Sequence, residues 1–182
     1  MANRAIVSYT FTGSKESLEK IVSAMDYDMN LWDILSRLGI STEDLYLRGY
    51  ICEFEMTPDA LRVECNCAWD EASDWRHAIK KAFPDVKVYY YVEEPGNCIY
   101  ATNDSEGRFY ATRYIIDTYG CDIYHKKFGS LHYLKMYLSE VFGMPMHGSV
   151  KECNESLEKH ISESDSFGDA DAHIYEVEIR ND

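Results

Sequence analysis

In the stretch ALRVECNC, residues 60–67, Leu61, Val63, Cys65 and Cys67 alternate with Arg62, Glu64 and Asn66. A period of two fits an extended chain with one dry face and one wet face, because successive side chains on a strand point to opposite sides. The preceding run YICEFEM is separated from it by Thr57-Pro58-Asp59, a turn signal. Proline fixes φ there and aspartate tolerates the bend, so the two runs should pair as an antiparallel hairpin. The dry face of such a hairpin needs further elements to cover it.

The flanking segments supply them. RAIVSYTF is rich in β-branched and aromatic residues and reads as a strand that stops before Gly13. Ser14 is placed to cap a helix whose Leu18, Ile21, Val22 and Met25 share one face. A second short helix is expected after Asn30, burying Leu31, Ile34, Leu35 and Leu38 and ending at Gly39. Beyond the hairpin, Ala72, Trp75, Ile79, Ala82 and Phe83 recur at helical spacing up to Pro84, where a helix stops. VKVYYYV then reads as a fourth strand, with Val86, Val88, Tyr90 and Val92 on the core side, and the EEPG that follows is expected to be a turn or bulge.

The order β-α-β-β-α-β predicts an α+β fold, a ferredoxin-like core with its helices on one face of an antiparallel sheet. Length and a hydrophobic content of 46% fit a single domain over 1–182, with the core at 1–95 and an elaboration at 96–182 packed on it. NCIYAT and RFYATRYII, separated by Asn-Asp-Ser-Glu-Gly, should form a further hairpin that extends or continues the sheet. A helix in SLHYLKMYLSEVFG comes next, then one opened by Ser149 with Glu152 three residues on, a capping box. Its apolar stripe is Val150, Cys153, Leu157 and Ile161, and AHIYEVEIR is the last strand, with His173 on the parity of Tyr175, Val177 and Ile179 and so facing the core.

No apolar run approaches the roughly 18 residues of a membrane span, and MANRAIVSYTF lacks a long apolar segment after a basic start, so a soluble cytoplasmic protein without membrane contact is expected. A formal net charge of −14 repels phosphate backbones and argues against direct nucleic-acid binding. The local exception is HKKFGSLHYLK, where Lys126, Lys127 and Lys135 lie near a helix start at Ser130 and make a candidate anion site. Residues 149–182 hold ten acidic and three basic residues, so half of the net charge sits in the last fifth of the chain. Glu163, Asp165, Asp169 and Asp171 mark this acidic surface. It is either a solvated face, a dock for a basic protein partner, or a mimic of the charge pattern of DNA.

CAWDEASDW, AFPDVKVYYYVEEPGNCIYA and EGRFYATRY together resemble the YubB-type ferredoxin-like domain family of plasmid, phage and conjugative-element proteins. The resemblance spans roughly 3–117. It rests on a strand ending in an aromatic, a helix with tryptophan near its start, Phe-Pro before a strand, and Glu-Pro-Gly after it. It implies the ferredoxin-like fold and a mobile-element setting, and it brings no catalytic residues. NCIYA stands where the family has a Gly- and Phe-rich segment.

Counting back from a Met56–Leu61 pair, Cys52 should oppose Cys65, with Cys67 two residues along the same face, so three thiols would cluster. No second ligand pair with zinc-site spacing accompanies them, and buried, reduced, inert thiols are expected, with metal binding, redox chemistry and a cross-strand disulfide as alternatives. ESDSFGDAD fails as a calcium loop: with Gly168 at the invariant glycine, Phe167 and Ile174 fall on ligand positions. Dinucleotide, phosphate-loop, zinc-protease and serine-hydrolase motifs are missing from the sequence, so no catalytic residue, metal ligand or cofactor is assigned.

The chain has fifteen tyrosines. Tyr89 and Tyr91 fall on the outer parity of the fourth strand, and a Tyr100–Tyr110 pair across the next hairpin would extend them into a tyrosine face. That face is either a second core under the C-terminal helices, a partner-binding surface, or a platform for stacking bases. The leading functional expectation is a non-enzymatic, acidic protein-interaction or regulatory module of a mobile element. The alternatives are an acidic DNA mimic that blocks a DNA-binding protein, and a small hydrolase or thiol enzyme.

Overall fold

A computed structural model of the protein describes residues 3–120, 125–164 and 170–181. The chain divides into two compact units, Met1–Ser105 with Ile179–Asp182, and Glu106–Glu178. Both belong to the α+β class.

In the first unit the elements run β1 (Arg4–Thr12), α1 (Lys15–Ser23), α2 (Leu31–Arg37), β2 (Gly49–Met56), β3 (Leu61–Ala68), α3 (Ser73–Ala82), β4 (Lys87–Glu94) and β5 (Ile99–Thr102). The sheet order is β2-β3-β1-β4-β5, antiparallel at each of these junctions. Alternation decides the faces. Val7, Tyr9 and Phe11 of β1, Val63 and Cys65 of β3, and Val88, Tyr90 and Val92 of β4 bury into one core with Leu18 and Ile21 of α1, Ile34 of α2, and Trp75 and Ile79 of α3. At its centre the Trp75 ring meets Tyr9 and Phe11 edge-on, at 5.2 and 5.7 Å between centroids. Each such aromatic pair is worth about 0.5–1.5 kcal/mol beyond its buried area, which helps offset a Trp75 Nε1 that has no hydrogen-bond partner among the described residues.

Caps set the helix ends. Ser14 accepts from the Ser17 amide, and Asp85 accepts from the Ser14 amide at 3.0 Å and the Ser17 hydroxyl at 2.9 Å, which holds the Asp85 carboxyl below its usual range. After β4, the Glu94 side chain accepts from the Gly96 and Asn97 amides and closes a single 3-10 turn over Pro95–Asn97, with Cys98 taking the positive φ of 55°. EEPG is therefore a side-chain-capped turn.

In the second unit, β6 (Tyr114–Tyr119), β7 (Lys126–Phe128), α4 (Leu131–Phe142), α5 (Val150–Glu163) and β8 (Asp171–Glu176) follow. They make an antiparallel sheet ordered β7-β6-β8, whose Ile116, Ala172 and Ile174 pack with Leu134, Leu138 and Phe142 of α4 and Cys153, Leu157 and Ile161 of α5. The last strand, β9 (Glu178–Ile179), adds to the first sheet beyond β5. Among the described residues no helix is long and apolar enough to cross a membrane.

Four expectations change. The first unit runs to Ser105 rather than 95, because β5 pairs with β4. NCIYAT and RFYATRYII do not form a hairpin: β5 stays in the first sheet, residues 106–113 are irregular, and β6 belongs to the second sheet. His173 is exposed, and Ala172 and Ile174 face the core instead. Val177 lies outside any strand between β8 and β9, so the parity counted from Ile179 does not carry through to His173. Finally, Met56 opposes Leu61 as expected, but a bulge at Cys52 puts Ile51 opposite Cys65.

Candidate functional site

Helix α5 starts from a complete capping box, in which Ser149 Oγ accepts from the Glu152 amide and Glu152 Oε2 accepts from the Ser149 amide at 2.6 Å. The hydrogen bonds from Ser149 hold the Glu152 carboxyl below its ordinary range. With Cys153, Leu157 and Ile161 buried at successive i,i+4 steps, Glu155 and Glu158 are left in solvent. Asn154 ties the helix to the sheet: its side-chain carbonyl accepts from the Ile174 amide at 2.8 Å and its amide donates to the Ile174 carbonyl at 3.0 Å. One side chain thereby satisfies both backbone groups of Ile174 on the outer edge of β8.

Between helix and strand runs a groove of about 750 Å³. Its lining carries four carboxylates, from Glu155, Glu158, Asp171 and Glu176, against one ammonium, Lys151. Lys151 lies 3.8 Å from Glu155 as an exposed i,i+4 pair, an interaction worth only a few tenths of a kcal/mol. Asp171, predicted as part of the acidic surface, thus joins a real concavity. Glu163 is exposed at the far end of α5, 4.0 Å from Lys159, and does not line it. Asp165 and Asp169 lie outside the described residues.

The predicted tyrosine face forms in part, without Tyr110, and its Tyr91 and Tyr100 are buried. Tyr91 is 7% and Tyr100 3% exposed, Tyr89 is half-buried in β4, and Tyr110 lies in the irregular stretch of the second unit. Tyr91 and Tyr100 share a side of the sheet, opposite Thr102 and Glu93 respectively. Burial pushes the Tyr91 hydroxyl far above the usual tyrosine range, with the neighbouring Glu93 adding to the shift. Neither ring is open to a partner or to a base.

The thiols do not take the predicted pairing, since Ile51 rather than Cys52 stands opposite Cys65. Cys65 and Cys67 point into the core, while bulged Cys52 takes a hydrogen bond from the Asn66 amide. Burial raises all three, Cys67 to about 12, so each is a protonated thiol at neutral pH. Among the described residues no group of three or more His, Cys, Asp or Glu side chains is placed to hold a metal ion. Nor do the lysines near Ser130 converge: Lys126 sits 3.8 Å over the Tyr137 ring and Lys135 donates to the Gly148 carbonyl.

The most elaborate charge arrangement lies in the first unit, at residues the sequence analysis did not single out. Glu71 and Arg76 form an ion pair at 2.9 Å with both side chains 5% exposed. Tyr9 donates its hydroxyl proton to Glu71 Oε2 at 3.2 Å and accepts from the Ala72 amide at 3.0 Å. The Arg76 guanidinium stacks 4.9 Å from the Tyr90 centroid, and Arg180 reaches both Asp70 oxygens, at 2.9 and 2.8 Å. Burial drives Tyr9 well above its ordinary range and Tyr90 to about 12. Two cations, two anions and two protonated hydroxyls satisfy one another. The arrangement locks the start of α3 and Arg180 onto the sheet. Arg76 fits an i,i+5 relation to Glu71, and a basic residue one turn into a helix that follows an acidic pair was the signal available. No protein-family model, curated protein or solved structure matches this chain.

Proposed function

We propose that the protein is a non-enzymatic interaction module whose second unit takes a basic protein segment along the groove between α5 and β8. The observation that carries this is the convergence of Glu155, Glu158, Asp171 and Glu176 on one concavity with a single opposing lysine. Concave walls of one charge focus the field and speed encounter with an opposite charge. The first unit supports the finer ferredoxin-like reading through its β-α-β-β-α-β order, here with a second helix after α1, and its β2-β3-β1-β4 arrangement. A mobile-element setting in the cytoplasm rests on the resemblance to the YubB-type family and on composition.

The test is titration of a lysine- and arginine-rich peptide of about ten residues at two salt concentrations. Raising salt from about 50 to about 500 mM should weaken binding at least ten-fold, and the triple variant Glu155→Gln, Glu158→Gln, Asp171→Asn should lose it. Salt-independent affinity, or a triple variant that binds as the parent does, would falsify the assignment. If duplex DNA competes for a partner bound by this groove, the groove acts as a DNA mimic.

A further inference from the structure

Against a net charge of −14, one cleft of the first unit has the opposite character. It occupies about 590 Å³ beside the start of β1, the start of β2 and the end of β3, and its lining includes Arg4, Arg48, Asn30, Asn66, Trp32 and Tyr50, with Asp33 the one carboxylate. The arginines are differently held. Arg4 donates to the Tyr50 hydroxyl and lies 5.8 Å from its ring centroid, so its guanidinium is pre-oriented. Arg48 is exposed and has no ion-pair partner among the described residues. Asn66 Nδ2 donates to Cys52 and Asn30 Nδ2 to Asp33, at 3.4 Å, which orients both amides and leaves each a carbonyl oxygen to accept and a second N–H to donate. Trp32, at the start of α2, is 51% exposed. The backbone is close-packed behind: a Cβ at Gly49 would stand 2.9 Å from Cys67 Sγ and 3.0 Å from Leu31 Cδ1, so glycine lets β2 reach this wall.

We infer that this cleft binds a mononucleotide, with phosphate on Arg4 and Arg48, the base against Trp32, and its amino edge read by the Asn30 and Asn66 carbonyls. The volume lies in the range of small-molecule sites, and guanidinium groups are the usual partners of a phosphate dianion. Stacking on an indole is tolerant of base identity, whereas two free carbonyl acceptors favour bases that carry exocyclic amines. A single dianion reaches a local cationic cleft, while a polyanionic strand is repelled by the chain as a whole. The cleft belongs to the first unit and the acidic groove to the second, so each assignment stands or falls without the other.

The experiment is calorimetric titration of the full chain with AMP, CMP, GMP and UMP, alongside adenosine, cytidine and inorganic phosphate. AMP, CMP or GMP, whose bases carry an exocyclic amine, should bind with a dissociation constant below about 1 mM, and UMP, inorganic phosphate, adenosine and cytidine each at least ten-fold more weakly. Arg48→Ala and Trp32→Ala should each weaken nucleotide binding about ten-fold, with far-UV circular dichroism unchanged because both side chains are exposed. Three results overturn the inference: no saturable heat with any nucleotide, phosphate alone binding as tightly as the nucleotide, or affinity unaltered in both variants.

Discussion

Glu71 and Glu158 are the same side chain in opposite circumstances. Glu71 is 5% exposed and compensated by Arg76, Tyr9 and the packing around them, whereas Glu158 faces solvent in a groove that gathers three further carboxylates and one lysine. A buried charge survives only if its partners come from the same fold, so its free energy is tied up in holding that fold. An exposed group of like charges repels itself mildly and is stabilised by whatever cation arrives from outside. At Glu71 the first unit therefore uses charge to hold its fold, the second leaves the carboxylates of its groove in solvent, and substitutions in the two places should read out differently.

The largest effect should come from Arg76→Met. It leaves Glu71 buried beside an apolar side chain, at an expected cost of about 3–5 kcal/mol in urea unfolding. Adding Glu71→Gln removes the stranded carboxylate while keeping an acceptor for Tyr9, so the double variant should recover part of the loss. A single variant within about 1 kcal/mol of the parent would mean the pair is not desolvated, and the contrast with Glu158 would collapse.

Next in size is Asn154→Ala, which removes the two hydrogen bonds to Ile174 and should cost about 1–3 kcal/mol. The loss is predicted to localise: amide exchange at Ile174 should accelerate more than at Val7 or Val63 of the first sheet. Equal acceleration in both sheets would show that the two units do not differ in local stability.

The local elements were legible because each is written in a short window. Alternation in LRVECNC gives β3, Ser149 with Glu152 gives the start of α5, and Trp75 to Pro84 brackets α3. What escaped depends on choices made at a distance. Asp70 and Arg180 are 110 residues apart, and no periodicity links them. RFYATRYII has strand composition, but its β6 segment pairs with β7 and β8 rather than with β5, and partner choice is a property of the two cores. The bulge at Cys52 inserts one residue without a composition cue, which was enough to remove the expected Cys52–Cys65 pairing. The acidic groove was half visible: the excess of carboxylates near the C-terminus could be counted, but only the packing of α5 beside β8 decides which of them meet.

Alkaline titration sharpens the contrast from the solvent side. Cys65, Cys67, Tyr9 and Tyr90 all have folded pKa values above those of the unfolded chain, with Cys67 and Tyr90 at about 12. Their contribution is fully present below the unfolded values, near pH 9 for thiols and 10 for tyrosine, and is lost as pH rises towards the folded ones. Each such group lowers stability by about 1.4 kcal/mol per pH unit within its window. These residues all lie in the first unit, so the slope above pH 9 should be steep for its core. Cys67→Ser, whose hydroxyl does not ionise there, should flatten it. A parent profile already flat between pH 8 and 10.5 would show that these thiols and hydroxyls are not desolvated.

The smallest expected effect on folding comes from Glu155→Gln with Glu158→Gln, and it is the one that separates the two roles of charge. Both side chains are exposed, and the ion pair lost among the described residues is the i,i+4 contact with Lys151, so urea midpoints should stay within about 0.5 kcal/mol of the parent. Relief of repulsion among four converging carboxylates makes a slight gain as reasonable as a slight loss. Binding of the basic peptide should nonetheless weaken, chiefly in the association rate and most at low salt, because the removed charges steer encounter. A destabilisation above about 2 kcal/mol would give these carboxylates a structural role like that of Glu71. Unchanged stability with weakened, salt-dependent association is what a surface built for a partner requires.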